Sequence, residues 1–94
     1  MSEIMDRNAT TYQIAKGVRW AVESRGLLLS DSEGSTYRLG YPESALWDLF
    51  SRGCRPQKAA SMLRYIASVP EEEAWQVVLG TLEEWVHLGL MEGQ

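Results

Sequence analysis

The chain has few of the residues from which catalytic and metal sites are built. Its 94 residues include one histidine, His87, and one cysteine, Cys54. A structural zinc site usually needs four cysteine or histidine ligands, so we expect no metal site in this chain. Its glycines form neither a G-x-G-x-x-G nor a G-x-x-x-x-G-K pattern, and nucleotide binding therefore gains no support. Because the sequence offers no catalytic constellation, we expect neither an enzyme nor a cofactor.

Long apolar runs are absent as well. No stretch of apolar residues exceeds three, which excludes a membrane-spanning helix and the apolar segment of a signal peptide. The lone cysteine cannot form an intramolecular disulfide. Together these absences predict a cytoplasmic protein with no membrane partner. The composition, 45% apolar and 23% charged, is that of an ordinary globular protein, and the length predicts one domain with a small core.

Positive charge is missing from the last part of the chain. Residues 70–94 contain six Glu and no Lys or Arg, whereas residues 1–69 contain nine basic and seven acidic side chains. The chain is therefore mildly basic in its first part and acidic in its last part. Glu71, Glu72 and Glu73 stand where a helix is predicted to begin, and the helix dipole favours carboxylates there without any further function.

The first half of the chain predicts a small antiparallel sheet. Residues 18–23 alternate, with Val18, Trp20 and Val22 on one side, as in a half-buried strand. Residues 27–30 form a second strand, and the turn formers of residues 31–35 lead to a third at residues 36–39. Residues 12–16 alternate weakly and could be extended. We expect residues 1–11 to be a flexible N-terminus and residues 12–94 to form the domain.

Three helices are predicted to follow the sheet. The first starts near Pro42 and ends at Gly53, and the second opens at Pro56. Ser68 and Glu71 are expected to form a capping box for the third, which runs to about Leu88. Gly89 and Leu90 fit a Schellman motif at its end. The fold class is therefore α+β, with a three-stranded antiparallel sheet followed by a three-helix bundle and no strand after residue 70.

Several single residues have both a structural and a functional interpretation. Trp20, Trp75 and Trp85 lie on apolar faces and are expected in the core, whereas Trp47 is either core edge or an exposed contact. Arg52 and Arg55 could lower the pKa of Cys54, although a structural thiol is the simpler interpretation. His87 is expected on the surface of the last helical turn.

The third predicted strand is the sharpest functional feature. In a simple meander, residues 36–39 form an edge whose backbone N–H and C=O groups have no partner. Such an edge is either protected or used to pair with another chain. Arg38 could be a protective charge, or it could meet an acidic group on a peptide.

From residue 18 to residue 91, the chain resembles the PqqD-like proteins, which include pyrroloquinoline quinone biosynthesis protein D and the RiPP recognition elements. The family hairpin, L-L-x-D-x-x-x-x-x-Y-x-L, is matched by Leu27-Leu28-Leu29-Ser30-Asp31 and Ser35-Thr36-Tyr37-Arg38-Leu39. The next family helix, with its aromatic residue, Leu and Gly, is similar to residues 45–53. The acidic helix that ends L-x-x-x-G-L resembles residues 83–91. The chain departs from the family at Gly40, where Asn is frequent, and at Arg55-Pro56, where Thr usually starts the second helix.

The resemblance implies a winged-helix-like fold and a non-catalytic peptide chaperone. Such a protein holds the leader of a ribosomally made precursor peptide and presents the peptide to a modifying enzyme, often a radical-SAM protein. The leader adds to the third strand and lies beside the third helix. The implied peptide contacts are Thr36, Tyr37, Arg38, Leu39, Trp75, Val78, Leu79 and Leu82, some of which must also belong to the core.

Two other functions remain open at this point. A winged helix frequently binds DNA, and basic residues do occur at Arg52, Arg55, Lys58 and Arg64. The third helix, however, has five Glu and no basic residue, so it would repel the phosphates of a DNA groove. We therefore expect no nucleic-acid partner. The third possibility is a dimerisation module, because a free strand edge and spare aromatic residues would also serve a homodimer.

Overall fold

The computed structural model describes residues 11–93, which form two small sheets and three helices. In chain order the elements are β1 (Tyr12–Ile14), β2 (Arg19–Glu23), β3 (Gly26–Ser30), β4 (Thr36–Leu39), α1 (Glu43–Ser51), α2 (Pro56–Ala67), α3 (Glu71–His87) and β5 (Met91–Gly93). The predicted flexible segment, residues 1–11, lies outside the described residues except for Thr11. In the described part of the chain, no helix has the length and apolar character needed to cross a bilayer.

The main sheet is an antiparallel meander in the order β2-β3-β4. A two-residue turn, Ser24-Arg25, joins β2 to β3, and the pairing runs from Glu23–Gly26 to Arg19–Ser30. β4 pairs with β3 from Leu27–Leu39 to Ser30–Thr36. Three strands followed by three helices is the predicted order, and the predicted sheet is confirmed.

A second sheet joins the two ends of the described chain. β5 pairs antiparallel with β1, and the Ala15 N–H donates to the Leu90 carbonyl at 3.0 Å. The expectation that no strand follows residue 70 is therefore wrong. A three-residue strand is too short to show a period, so the sequence pattern alone does not reveal it. Leu90 and Met91 are buried here, which fastens the end of the chain to the core.

Two helices end in Schellman motifs, as the glycines predict. After α1, Gly53 has a φ of +83°, and the Cys54 N–H donates to the Leu49 carbonyl at 3.1 Å. After α3, Gly89 has a φ of +78°, and the Leu90 N–H donates to the Trp85 carbonyl at 2.8 Å. Because these bonds satisfy the last carbonyls of each helix, the chain can turn sharply without leaving polar groups unpaired.

The predicted capping box at the start of α3 is wrong. Ser68 adopts a left-handed conformation, with a φ of 55°, and ends α2 instead of starting α3. Pro70 occupies the N-cap position of α3 in an extended conformation, and no side chain caps the helix there. The negative charges of Glu71, Glu72 and Glu73 in the first turn are left to complement the positive end of the helix dipole.

A stack of three tryptophans connects the sheet to the helices. Trp47 of α1 is fully buried, with ring centroids 5.7 Å from Trp20 and 5.1 Å from Trp85, both in edge-to-face geometry. The core interpretation of Trp47 is therefore correct, and so is that of Trp85. The prediction for Trp20 is wrong, because 43% of its surface is exposed. Trp20 lies on β2, at one edge of the sheet, so it packs against Trp47 while part of its ring stays exposed to solvent.

Gly26 is required where β3 approaches the end of β4. Its φ is +152°, and a Cβ at this position would collide with the carbonyl oxygen of Leu39. We predict that Gly26→Ala lowers the free energy of unfolding by about 2 kcal/mol or more, through both the collision and the strained φ. Urea denaturation followed by circular dichroism measures the change.

Gly34→Ala is the matched control. Gly34 also has a positive φ, +90°, but nothing lies within 4 Å of the position of its missing Cβ. Only backbone strain should count there, at about 1 kcal/mol. Equal losses for the two variants would show that the close approach of β3 and β4 at Gly26 does not constrain the fold.

Candidate functional site

The backbone of β4 presents hydrogen-bonding groups to an open side of the sheet. Within residues 11–93, β4 pairs only with β3, so no strand lies along its other edge. In an antiparallel ladder, successive residues face the partner strand and the opposite direction in turn. The Asp31 N–H donates to the Ser35 carbonyl at 2.9 Å, which makes Ser30–Thr36 a non-hydrogen-bonded pair. The N–H and C=O groups of Thr36 and Arg38 consequently point to the free edge.

The hairpin on the other side of β3 supports this assignment. The two-residue turn makes Glu23–Gly26 a hydrogen-bonded pair, so Gly26 and Leu28 face β2. Leu27 and Leu29 must then face β4, where they pair with Leu39 and Tyr37. Thr36 and Arg38 again face outward. The Asp31–Ser35 hydrogen bond and the Ser24-Arg25 turn therefore lead independently to the same outward N–H and C=O groups on β4.

Asp31 holds the loop that positions β4. One carboxylate oxygen accepts the N–H groups of Glu33 and Ser35, each at 2.9 Å, and the other accepts the Tyr37 hydroxyl at 3.3 Å. This arrangement fixes both the loop and the orientation of the tyrosine. It also explains physically why Asp and Tyr occur six residues apart in the hairpin pattern.

The side chains of β4 alternate between the helices and solvent. Tyr37 and Leu39 are half-buried and pack against the core, whereas Thr36 and Arg38 are exposed. The Arg38 guanidinium reaches across the sheet to Glu23, with 3.2 Å between Nε and Oε1. The Arg38 side chain is 75% exposed, so this ion pair contributes little to stability. Arg38 thus lies over the outer face of the sheet, and its side chain does not cover the backbone edge.

The four α3 residues that the resemblance implies fall into two groups. Val78 and Leu82 are fully buried in the core. Trp75 and Leu79 are half-buried and line a cleft of about 370 Å³ together with Tyr12. The other residues of this cleft are Pro56, Gly80, Glu83, Val86 and Gly93.

Trp75 also borders a second cleft, of about 550 Å³, between α2 and α3. Gln57, Ala60, Ser61, Glu71 and Glu72 complete its lining. Neither of the two clefts includes a residue of β4. The structure therefore brings Thr36, Tyr37, Arg38 and Leu39 together on one strand, and it places Trp75 and Leu79 in a cleft that β4 does not border. Tyr37, Leu39 and Trp75 all pack against the buried core.

The charged side chains of the described residues lie on the surface. All five Glu of α3 are exposed, as are Arg52, Arg55, Lys58 and Arg64. Two helix-surface ion pairs occur, Arg52–Asp48 at 3.3 Å and Arg64–Glu71 at 3.7 Å. Within residues 11–93, no group of three His, Cys, Asp or Glu side chains could hold a metal ion. His87 is exposed in the last turn of α3, as predicted.

Cys54 is not activated by its basic neighbours in sequence. It is half-buried, and this burial raises the pKa of its thiol above the ordinary value, while the positive charge of Lys58 opposes the shift only in part. The suggestion that neighbouring arginines lower the pKa is therefore wrong. A raised pKa reduces the thiolate fraction at neutral pH, which argues against a nucleophilic role.

We predict that iodoacetamide modifies Cys54 more slowly in the folded protein than in the urea-unfolded chain at pH 7. The folded protein should also need a higher pH to reach half of its maximal rate, since burial penalises the thiolate. Mass spectrometry of quenched samples gives both rates. Faster modification of the folded protein at pH 7 would instead indicate an activated thiol.

The comparisons with known proteins bear on the fold. No family model matches the chain, and no curated protein matches it at a significant level. The solved structure of a lasso peptide synthetase B1 complexed with the leader peptide superimposes with a TM-score of 0.81. The two chains are 16% identical, and the match covers 86% of this chain and 96% of the other. The predicted α+β fold is thus confirmed, whereas membership in the PqqD-like family stays a prediction.

A second free edge is missing from the sequence-based predictions. Within the described residues, β2 pairs only with β3, so its outer side is also open. A three-stranded meander always has two edges, and the same reasoning that singles out β4 applies to β2. Val22, which is 83% exposed, and Trp20 lie on this edge beside a groove that α1 borders.

Proposed function

We propose that this protein is a non-catalytic chaperone that binds the leader of a ribosomally synthesised precursor peptide by strand addition to β4. The free edge of Thr36–Leu39 is the observation that carries this proposal. It supplies outward N–H and C=O groups at two positions, which is what an added antiparallel strand requires. The likeness in fold to a synthetase B1 complexed with a leader peptide supports the same function.

In the proposed complex, backbone pairing provides affinity and side chains provide selectivity. Thr36 and Arg38 each offer one donor and one acceptor, so the leader could form up to four backbone hydrogen bonds with β4. Every second leader side chain would then lie on the helix side of the sheet, beside the exposed parts of Tyr37 and Leu39. The alternate side chains would lie over the outer face, where Arg38 could pair with an acidic leader residue.

The role of α3 follows from burial. We propose that Trp75 and Leu79 contact the part of the leader that extends beyond the added strand, because both keep an exposed apolar surface. Val78 and Leu82 are fully buried and would act from below, by supporting the surface that the leader contacts. The five exposed Glu of α3 would favour a leader with basic residues at its flank.

In this proposal, another protein carries out the chemical modification of the precursor peptide. We propose a separate modifying enzyme, of the radical-SAM class in the family that the sequence resembles, and a cytoplasmic location. Burial raises the pKa of Cys54, which disfavours a nucleophilic thiol and supports a protein that holds a substrate without changing it. The chain would contribute by raising the local concentration of the precursor at the enzyme.

We predict that Arg38→Pro weakens leader binding by about tenfold or more, since it removes an outward N–H and places a proline ring against the incoming strand. The peptide to use carries the leader sequence of the precursor encoded in the same gene cluster. Isothermal titration gives the Kd, and amide chemical shifts of labelled protein locate the contact. Shifts should concentrate at residues 36–39 and in the exposed residues of α3.

Arg38→Ala is the matched control, because it removes the same side chain and keeps the backbone N–H. It should change the Kd by less than about threefold if Arg38 acts mainly through its backbone. Circular dichroism checks that both variants fold. Equal affinity of the proline variant and the unmodified protein, or shifts that avoid β4 at saturation, would contradict strand addition at this edge.

Duplex DNA is the competing ligand, and the charge of α3 argues against it. Seating this helix in a groove would bring the Glu71, Glu72, Glu73, Glu83 and Glu84 carboxylates against the phosphates. We predict only weak, sequence-independent association, lost as salt is raised, through Arg52 and Arg55 between α1 and α2 and through Lys58 and Arg64 on α2. Fluorescence anisotropy with several labelled duplexes tests this. Sequence-selective binding by sub-micromolar protein would instead support a DNA-binding function.

A further inference from the structure

Among the residues that the structure describes, β2 is an open edge with exposed apolar side chains. Glu23 faces β3 in the hydrogen-bonded pair that closes the hairpin, so Ala21 and Arg19 face β3 as well. The N–H and C=O groups of Trp20 and Val22 must then point away from the sheet. Their side chains are 43% and 83% exposed. An uncovered edge of this kind normally has a partner or a protective device. β2 has no proline, and its two charged residues, Arg19 and Glu23, stand at its ends, so they leave the apolar centre of the strand open.

The sequence of β2 is complementary to itself when it is read in the opposite direction. The strand is Arg-Trp-Ala-Val-Glu. If two copies run antiparallel about Ala21, Arg19 stands opposite Glu23 and Trp20 stands opposite Val22, and each pairing occurs twice. Opposite charges and apolar pairs are the cross-strand combinations that stabilise antiparallel sheets. A strand that binds a different peptide has no reason to be complementary to itself. In a homodimer, by contrast, this self-complementarity forms every one of the cross-strand pairs.

We propose that β2 pairs antiparallel with β2 of a second copy of this chain, around a two-fold axis at Ala21. The two meanders would form one continuous six-stranded sheet. The outward groups of Trp20 and Val22 would make up to four backbone hydrogen bonds across the axis. Ala21 would be a non-hydrogen-bonded pair with itself. Pairing with β3 leaves the backbone groups of Trp20 and Val22 pointing outward. The register that the side chains favour needs outward groups at these same two residues.

Both faces of the sheet accommodate this pairing. On the outer face, Glu23 already contacts the Arg38 guanidinium at 3.2 Å, and Arg19 of the second copy would bind the same carboxylate. On the helix side, a groove of about 340 Å³ lies between β2 and α1, lined by Trp20, Val22, Ala45, Trp47 and Asp48 among others. This space can receive the Val22 side chain of the second copy, which would bury Trp20 more deeply.

The proposed dimer does not depend on peptide binding, and it leaves the peptide edge free. β2 and β4 are the two opposite edges of the meander, so joining the β2 strands places the β4 strands at the far ends of the shared sheet. A pairing of five residues is small, and we expect an association that depends on protein concentration.

Disulfide cross-linking tests the register directly. In a Cys54→Ser background, Ala21→Cys should form an intermolecular disulfide under mild oxidation by oxidised glutathione. A non-hydrogen-bonded pair brings the two Cα atoms to about 4.5 Å, within the range of a disulfide. Arg19→Cys is the control, since it lies on the same exposed face but far from its own copy in this register. Non-reducing gels should show a dimer for position 21 and none for position 19.

Proline substitutions at the two edges separate dimerisation from peptide binding. Val22→Pro removes an outward N–H from β2, and Arg38→Pro does the same on β4. Sedimentation from about 1 μM to about 1 mM protein covers the range of weak association. The unmodified chain and Arg38→Pro should both dimerise, whereas Val22→Pro should stay monomeric and still bind the leader peptide.

Charge reversal gives a further test, which can be used even if the Val22→Pro variant does not fold. Arg19→Glu and Glu23→Arg should each weaken self-association, because like charges would stand opposite each other. An equimolar mixture of the two should form heterodimers, in which opposite charges face each other again.

Three results would overturn the proposal. The first is a chain that stays monomeric throughout the concentration series. The second is equal cross-linking at positions 19 and 21. The third is a leader peptide that shifts the amides of residues 19–23 at saturation, which would assign the β2 edge to the peptide.

Discussion

A strand at the edge of a β-sheet carries backbone N–H and C=O groups that no neighbouring strand satisfies, and a three-stranded meander has two such edges. In the described part of this protein, residues 11–93, they are the outer sides of β2 and β4. The central strand, β3, determines which residues present their groups there, because each of its residues pairs to one side only. The free groups of Thr36 and Arg38 on one side, and of Trp20 and Val22 on the other, follow from that alternation. Both proposed partners are strands because a strand satisfies these groups most completely.

The rest of the fold keeps those edges in place. Trp47 is buried between Trp20 and Trp85, so a single side chain of α1 connects β2 to α3. Asp31 ties the loop between β3 and β4 to Tyr37. The small sheet of β1 and β5 fastens the two ends of the described chain over the core. A rigid support reduces the entropy lost when a partner strand is ordered, which matters for the proposed binding because it depends mostly on backbone groups.

Charge separates the possible partners. The exposed Glu of α3 repel a phosphate backbone, while the outer face of the sheet carries Arg19, Arg38 and Glu23 in an alternating arrangement. The first pattern disfavours a nucleic acid, and the second favours a strand with complementary charges. Exposed ion pairs add little binding energy, but they discriminate between registers and between partners.

The sequence by itself determined the order of the three main-sheet strands and the three helices, the helix ends at Gly53 and Gly89, and the existence of an edge at residues 36–39. These features depend on local properties: hydrophobic period, left-handed glycines and turn-forming residues. It could not determine that Trp20 is exposed while Trp47 is buried. Trp20 lies on an apolar strand face, the pattern around Trp47 fits either core or surface, and only the packing of Trp47 against Trp85 of α3 decides between them. Nor could it separate the buried Val78 and Leu82 from the accessible Trp75 and Leu79.

The strand at Met91–Gly93 and the left-handed Ser68 were decided by tertiary structure as well, because the chain must return to β1 and must turn between α2 and α3. The intrinsic preference of a residue for helix or strand amounts to a fraction of about 1 kcal/mol. The burial of an apolar side chain contributes more than that, so tertiary packing overrides the local preference.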